Sequence, residues 1–230
     1  PAAAPARPRA AIIESTGRFT LEVLTHARET LEYVGRLTGA LAGVILRPRA
    51  VRWRDVALYM SRAGADALGI VALVVGLLGF ILALQSVTQL GKYGLASLTP
   101  EAVAAAVISE LGPLMTAILV AGRSGSGFAA EIGTMTVNEE VAALDTMGLD
   151  RSRFLVVPKV LALLLVMPLL VVFANLCGVA GGMVVSWLSL DLSLESYLQK
   201  SFDAVGVREF AEGLVKGECY AVVVAAVGCL

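Results

Sequence analysis

Four charged residues stand in otherwise apolar sequence: Glu110 in "SELGP", Arg123 in "AGRSG", Glu131 in "AAEIG" and Lys216 in "LVKGE". Glu110 falls midway along its apolar run. An ionised carboxylate in hydrocarbon costs several kcal/mol unless it is paired, protonated or faces a wet cavity. That makes Glu110 a candidate for lining a polar route through a membrane or for carrying a proton. Arg123 and Glu131 lie nearer the end of the run and are placed to pair with each other. Lys216 comes early in the last apolar segment, and Arg123 has the simpler explanation of snorkelling to the interface.

Other chemistries find little support. The run "GRSGSG" invites comparison with a phosphate loop, but no Lys-Ser or Lys-Thr follows it and no strand precedes it. Its glycines are expected to permit close packing where a span ends. His26 is the single histidine, and Cys177, Cys219 and Cys229 lie in apolar sequence without a CxxC pair, so no metal site is expected. An enzyme of lipid metabolism would need acids or histidines clustered at one depth, and no such motif occurs.

The elements that must position these charges are membrane helices. Of 230 residues, 57% are hydrophobic, above the roughly 45–50% usual in soluble domains, and the mean hydropathy is +0.81. A net charge of −1 gives no basic face for nucleic acid. The fold class expected is an all-α integral membrane protein. Residues 1–11 read as a Pro/Ala/Arg-rich linker, and 12–46 as an amphipathic helix too charged to span, lying at the interface. In that helix Gly35, Gly39 and Gly43 have the small-xxx-small spacing of close helix approach. Within a permease domain over 47–230, spans are expected at about 64–90, 102–122, 154–190 and 210–230. Pro1 is not Met and Leu230 ends inside an apolar run, so a longer chain with a fifth span is expected.

Arg47, Arg49, Arg52, Arg54 and Arg62 precede the first span, whereas the loop after it offers Lys92 alone. The excess of basic residues places the N-terminus and residues 123–153 in the cytoplasm. Between the second and third spans, Thr136 and Glu139 fit a capping box and Gly148 a helix stop. They predict a helix over 137–147 with Val137, Val141, Leu144 and Met147 near one face and Glu139, Glu140 and Asp145 elsewhere. Such a helix lies on the membrane or docks on a cytoplasmic partner. Its acids disfavour an anionic leaflet and so favour the partner.

Residues 110–170, with "ELGP", "AGR", "AAEIGTM", a Glu-containing helix, a Met-Gly turn and "VVPKV", resemble the MlaE/YrbE family. These are permease subunits of ABC transporters that work with MCE-domain proteins in lipid trafficking. The likeness covers about 55–230. It implies a homodimer in the bacterial inner membrane, enclosing a phospholipid cavity beneath a hexameric MCE ring on the periplasmic side. It implies that 137–147 is a coupling helix seated on a cytoplasmic ATPase dimer through Glu139, Glu140, Val141, Leu144, Asp145, Met147 and Gly148. ATP and magnesium would bind that ATPase, leaving no cofactor in this chain. Glu110 matches the family glutamate near the cavity, and 12–46 matches an interfacial elbow helix. A STAS domain, fused or separate, accompanies some members. The alternatives are a permease of another ABC class for a small solute, whose EAA signature is only loosely echoed because Ala142 replaces its glutamate, or a proton-coupled carrier using Glu110.

Overall fold

The computed structural model describes residues 8–46, 51–148, 150–190 and 192–229. Part of the expected linker, Arg47, Arg49 and Leu230 lie outside them. Among the described residues the chain is helical throughout. Helix α1 runs from Pro8 to Leu46, opening four residues before the expected start, and α2 from Trp53 to Gly91. After a short 3-10 turn come α3 (Thr99–Ala106), α4 (Gly112–Val120) and α5 (Ser126–Val137), joined by π turns at Val107–Leu111 and Ala121–Gly125. Then follow α6 (Glu140–Thr146), a π turn at Ser152–Val156, α7 (Val157–Leu190), α8 (Leu194–Ala204) and α9 (Val207–Gly228).

Three helical runs are long and apolar enough to cross a membrane: Trp53–Gly91, Ala96–Val137 and Ser152–Leu190. At 1.5 Å per residue, the 39 residues of α2 extend about 58 Å, well beyond a hydrocarbon core of about 30 Å. Its charged first turns therefore project past the bilayer. The second run is longer than the expected 102–122, because the helix continues straight through the glycine run. Glycine costs about 1 kcal/mol relative to alanine inside a helix. Here the backbone hydrogen bonds have no better partner in an apolar surrounding, so the helix persists. Helix α9 has the length for a fourth span but carries Glu212, Lys216 and Glu218.

The side-chain sizes are sorted as a membrane demands. In α2 the buried stripe is small and regular: Ala67, Val71, Val75, Gly79 and Ala83, each one helical turn from the last. Its opposite face exposes Leu73, Leu77 and Ile81. A water-soluble helix would bury the leucines. In lipid, hydrocarbon is as apolar as leucine, so association is driven by backbones that can approach closely. The principal seam, between α2 and α7, shows this directly. Cβ atoms built on Gly79 and Gly181 would lie 1.9 Å from the Gly178 carbonyl oxygen and 2.0 Å from that of Gly76.

The glycines expected to act this way elsewhere divide. A Cβ built on Gly35, Gly39, Gly122 or Gly127 would meet nothing within 4 Å, whereas one on Gly43 would meet the Arg153 guanidinium and one on Gly125 would meet α9 at Val224. Helix α1 docks through its C-terminal half, where Leu37 and Ala40 are buried and the Tyr33 hydroxyl donates to the Ala226 carbonyl at 3.0 Å. Phe19, Leu21, Leu24 and Leu31 are left exposed. At the other end of the bundle α8 is capped by Ser193, whose Oγ accepts from the Ser196 N–H at 3.3 Å. It buries Tyr197 against α7, with the hydroxyl donating to the Val179 carbonyl at 3.2 Å.

Candidate functional site: a hinged helix and its charged supports

The polar interruption of the sequence folds differently from the capping-box reading. Thr136 is not an N-cap. It lies inside α5, and its hydroxyl bonds back to the Ile132 carbonyl at 2.9 Å. The chain turns three residues later, where Glu139 takes φ 60°, the one left-handed non-glycine residue among those described. That conformation costs an L-residue about 1–2 kcal/mol. Helix α6 therefore begins at Glu140 and is shorter than predicted. Its stop is as expected: Gly148 has φ +71°, and its N–H donates to the Asp145 carbonyl at 3.0 Å. Two left-handed residues thus bracket α6 between the second and third membrane runs.

The exit is clamped. Arg151 Nε donates to Asp145 Oδ1 at 2.6 Å, and its Nη2 reaches the other carboxylate oxygen. Asp150 then accepts from the Ser152 N–H at 2.9 Å. The four apolar residues assigned to one face of α6 also part company. Val141 and Leu144 are buried in the chain itself, while Val137 (83% exposed) and Met147 (64% exposed) point away. Glu139, Glu140 and Asp145 are exposed beside them.

The four charges singled out in the sequence are all paired, but not as expected. Arg123 and Glu131 do not meet. Arg123 lies 3.6 Å from Asp66 of α2. Glu131 accepts from the Tyr59 hydroxyl at 2.6 Å and sits 3.2 Å from Lys159 Nζ. The helical phase separates the expected pair: eight residues is more than two turns, too far for the i,i+4 reach. Lys159 is completely buried. Its ammonium is held by charge rather than by a hydrogen bond, between the ring faces of Tyr59 and Phe128 at 5.4 and 5.5 Å. This node joins α2, α5 and α7. Sequence alone singles out none of Lys159, Tyr59 and Asp66.

Glu110 lies in the first π turn, which aims it toward α9. There Lys216 Nζ donates to its Oε1 and to the Ser109 carbonyl at 3.1 Å. The approach is close because Gly213 packs on the same turn, where a Cβ would lie 2.4 Å from the Ile108 carbonyl oxygen. The Glu110 side chain stays 65% exposed, so the pair is open on one side. Deeper in, the Asn175 carboxamide is buried without a hydrogen-bond partner, and its Oδ1 would lie 2.0 Å from a Cβ on Gly112.

Comparison with known proteins accords with this geometry. The family described as Permease MlaE matches residues 56–230. The chain belongs to that family. It is a multi-pass membrane protein, and it is similar to probable ABC transporter permease proteins. One, from Rickettsia bellii, is 37% identical over 72% of this chain. Another, from Synechocystis sp., is 32% identical over 84% of this chain and 73% of its own length. The "Protein TRIGALACTOSYLDIACYLGLYCEROL 1, chloroplastic" of Arabidopsis thaliana is 28% identical over 78% of this chain and 51% of its own length. The chain spans 64% of the length of the rickettsial relatives that it matches.

Proposed function

We propose that this chain is the membrane-spanning permease subunit of an ABC transporter that moves phospholipid or a related lipid. In this reading two copies enclose the lipid, and a cytoplasmic ATPase dimer binds ATP and magnesium. A periplasmic MCE-domain partner, with or without a STAS domain in the assembly, exchanges the lipid with the inner membrane. The observation that carries the reading is the bracketed helix α6 of an MlaE-family chain. It presents Glu140 and Met147 outward beside Val137 at the end of α5, and behind it lies a connection into three membrane helices.

The mechanics follow from the contacts. A force on the exposed face of α6 cannot dissipate at its exit, because the Arg151–Asp145 clamp and the Ser152 turn lead directly into α7. At its entry the force reaches α5, which is tied through Glu131 to Lys159 of α7 and Tyr59 of α2. The turn at Glu139 lets α6 swing on its entry side, while its clamped exit moves with α7. The same element then couples events at the ATPase to the arrangement of the spans.

The test separates the two faces of α6. Glu140→Lys and Met147→Asp are expected to lower co-purification of the ATPase at least about tenfold, an effect in the range of interface hot spots, with the unfolding temperature unchanged. Leu144→Asp is expected to lower stability itself, because Leu144 is only 7% exposed. If the ATPase stays bound to both surface variants, α6 is not the coupling element. Glu110 offers a second check on transport. The swap Glu110→Lys with Lys216→Glu should restore lipid transport lost in either single variant. If both singles transport normally, the pair has no part in the lipid route.

A further inference from the structure

We propose that the small pocket between α2 and the α4–α5 junction binds a phosphate group, supplied in the membrane by a phospholipid headgroup. It holds about 180 Å³ and is lined by Arg62, Asp66, Arg123, Ser124 and Glu131, with Tyr59 and Phe128 at its back. Sites that enclose a drug-sized molecule usually hold about 300–1,000 Å³, so this one takes a headgroup and no acyl chain. By contrast, the apolar cavity bordered by α7, α8 and α9 holds about 610 Å³.

The balance of charge around the pocket selects an anion. Both oxygens of Glu131 are taken, one by the Tyr59 hydroxyl and one by Lys159. Asp66 is then the acid left for two arginines. It holds Arg123 loosely at 3.6 Å, with both side chains more than half exposed. Arg62 has no ion-pair partner among the described residues. One guanidinium is therefore uncompensated, and a second is weakly held. The same pocket is lined by Ser124, a residue only 8% exposed whose hydroxyl has no hydrogen-bond partner. Its neighbour Ser126 instead bonds back to the Gly122 carbonyl within its own helix. Ser124 sits in the π turn, and its donor is left over. Two guanidinium forks and a hydroxyl are the donor set that phosphate oxygens accept from. The pocket lies where α2 turns from charged to apolar residues, which is headgroup depth. Basic pockets between membrane helices on that side take anionic headgroups.

The proposal rests on the transporter reading only for lipid as the source of the phosphate. The test uses the full-length protein in maltoside detergent, with bound lipid counted by native mass spectrometry. The probes are dioleoylphosphatidic acid, dioleoylglycerol and inorganic phosphate. Phosphatidic acid should be retained and dioleoylglycerol should not. Arg62→Gln and Arg62→Gln/Ser124→Ala should lower retention about tenfold, the scale of losing a charge-assisted hydrogen bond, and Arg62→Lys should recover part of it. Arg62 is on the surface, so an unchanged unfolding temperature is expected. Equal retention of both lipids, with inorganic phosphate bound in an Arg62-dependent way, keeps the phosphate site and assigns its source to free phosphate. Phosphatidic acid retention that is the same in the wild type and both variants overturns the proposal. Lipid translocation with the ATPase is measured separately. Binding without translocation sinks the transporter reading alone, and translocation with Arg62-independent binding sinks this one alone.

Discussion

Glu131→Ala is expected to lower the stability of the folded chain by about 3 kcal/mol, because it strands Lys159. Removing one partner of a buried ion pair costs about 3–5 kcal/mol, most of it from leaving the other charge uncompensated. The lower end applies because Glu131 is 39% exposed on its outer edge, where water and headgroups screen it. Among the described residues no second acid lies within ion-pair distance of Lys159, and the faces of Tyr59 and Phe128 flank it. Those ring contacts contribute about 0.5–2 kcal/mol and cannot replace a carboxylate. Lys159→Met should therefore cost less than Glu131→Ala, since methionine fills the same channel without a charge. The double variant should recover most of the loss. Unfolding in mixed micelles across this cycle isolates the coupling. Costs that simply add would show that the pair contributes nothing beyond the two separate side chains. A functional consequence accompanies the stability one. In the transporter reading proposed above, Lys159→Met leaves α6 and its outward residues untouched, so the proposed ATPase should still bind, while its turnover loses its response to lipid.

This node is not specified by any local stretch of sequence. Composition and the uncharged stretches were enough for three membrane helices, because hydrocarbon thickness sets a length that sequence shows directly. Gly148 was legible as a helix stop, since a left-handed residue there favours glycine. Glu139 was not. A glutamate at positive φ has no local signal, and Thr136 three residues before it imitated a cap while belonging to the preceding helix. The partners of the charges were illegible for a different reason. Glu110 and Lys216 are 106 residues apart, and Tyr59 and Glu131 are 72. Nothing in either neighbourhood specifies the other; the seams that bring them together do. Lys159 illustrates the same limit. It flanks an apolar run as an ordinary interfacial lysine would, and only the arrival of α5 with Phe128 and Glu131 encloses it.

Gly79→Ala is expected to be among the most damaging single methyl additions in the described helices. The new Cβ would lie 1.9 Å from the Gly178 carbonyl oxygen, about 1.5 Å too near for ordinary contact. The obstacle is backbone on both sides, so no rotamer change relieves it, and the helices must part. Parting unseats the Ala67–Val71–Val75 stripe along the whole seam. Overpacking a core commonly costs about 1–3 kcal/mol, and the upper end or beyond is expected where backbone meets backbone. Gly69→Ala is the matched control. It lies in the same helix, gains the same propensity of up to about 1 kcal/mol, and meets nothing within 4 Å. It should be neutral or stabilising. The contrast assigns the difference to packing, because the change in helix propensity is common to both. Gly181→Ala, aimed 2.0 Å from the Gly76 carbonyl oxygen, should reproduce the Gly79 effect from the other side of the seam. Equal unfolding temperatures for Gly79→Ala and Gly69→Ala would mean that α2 and α7 do not make this close approach. The rigid route from α6 through α7 to α2 would then have no spine to run along.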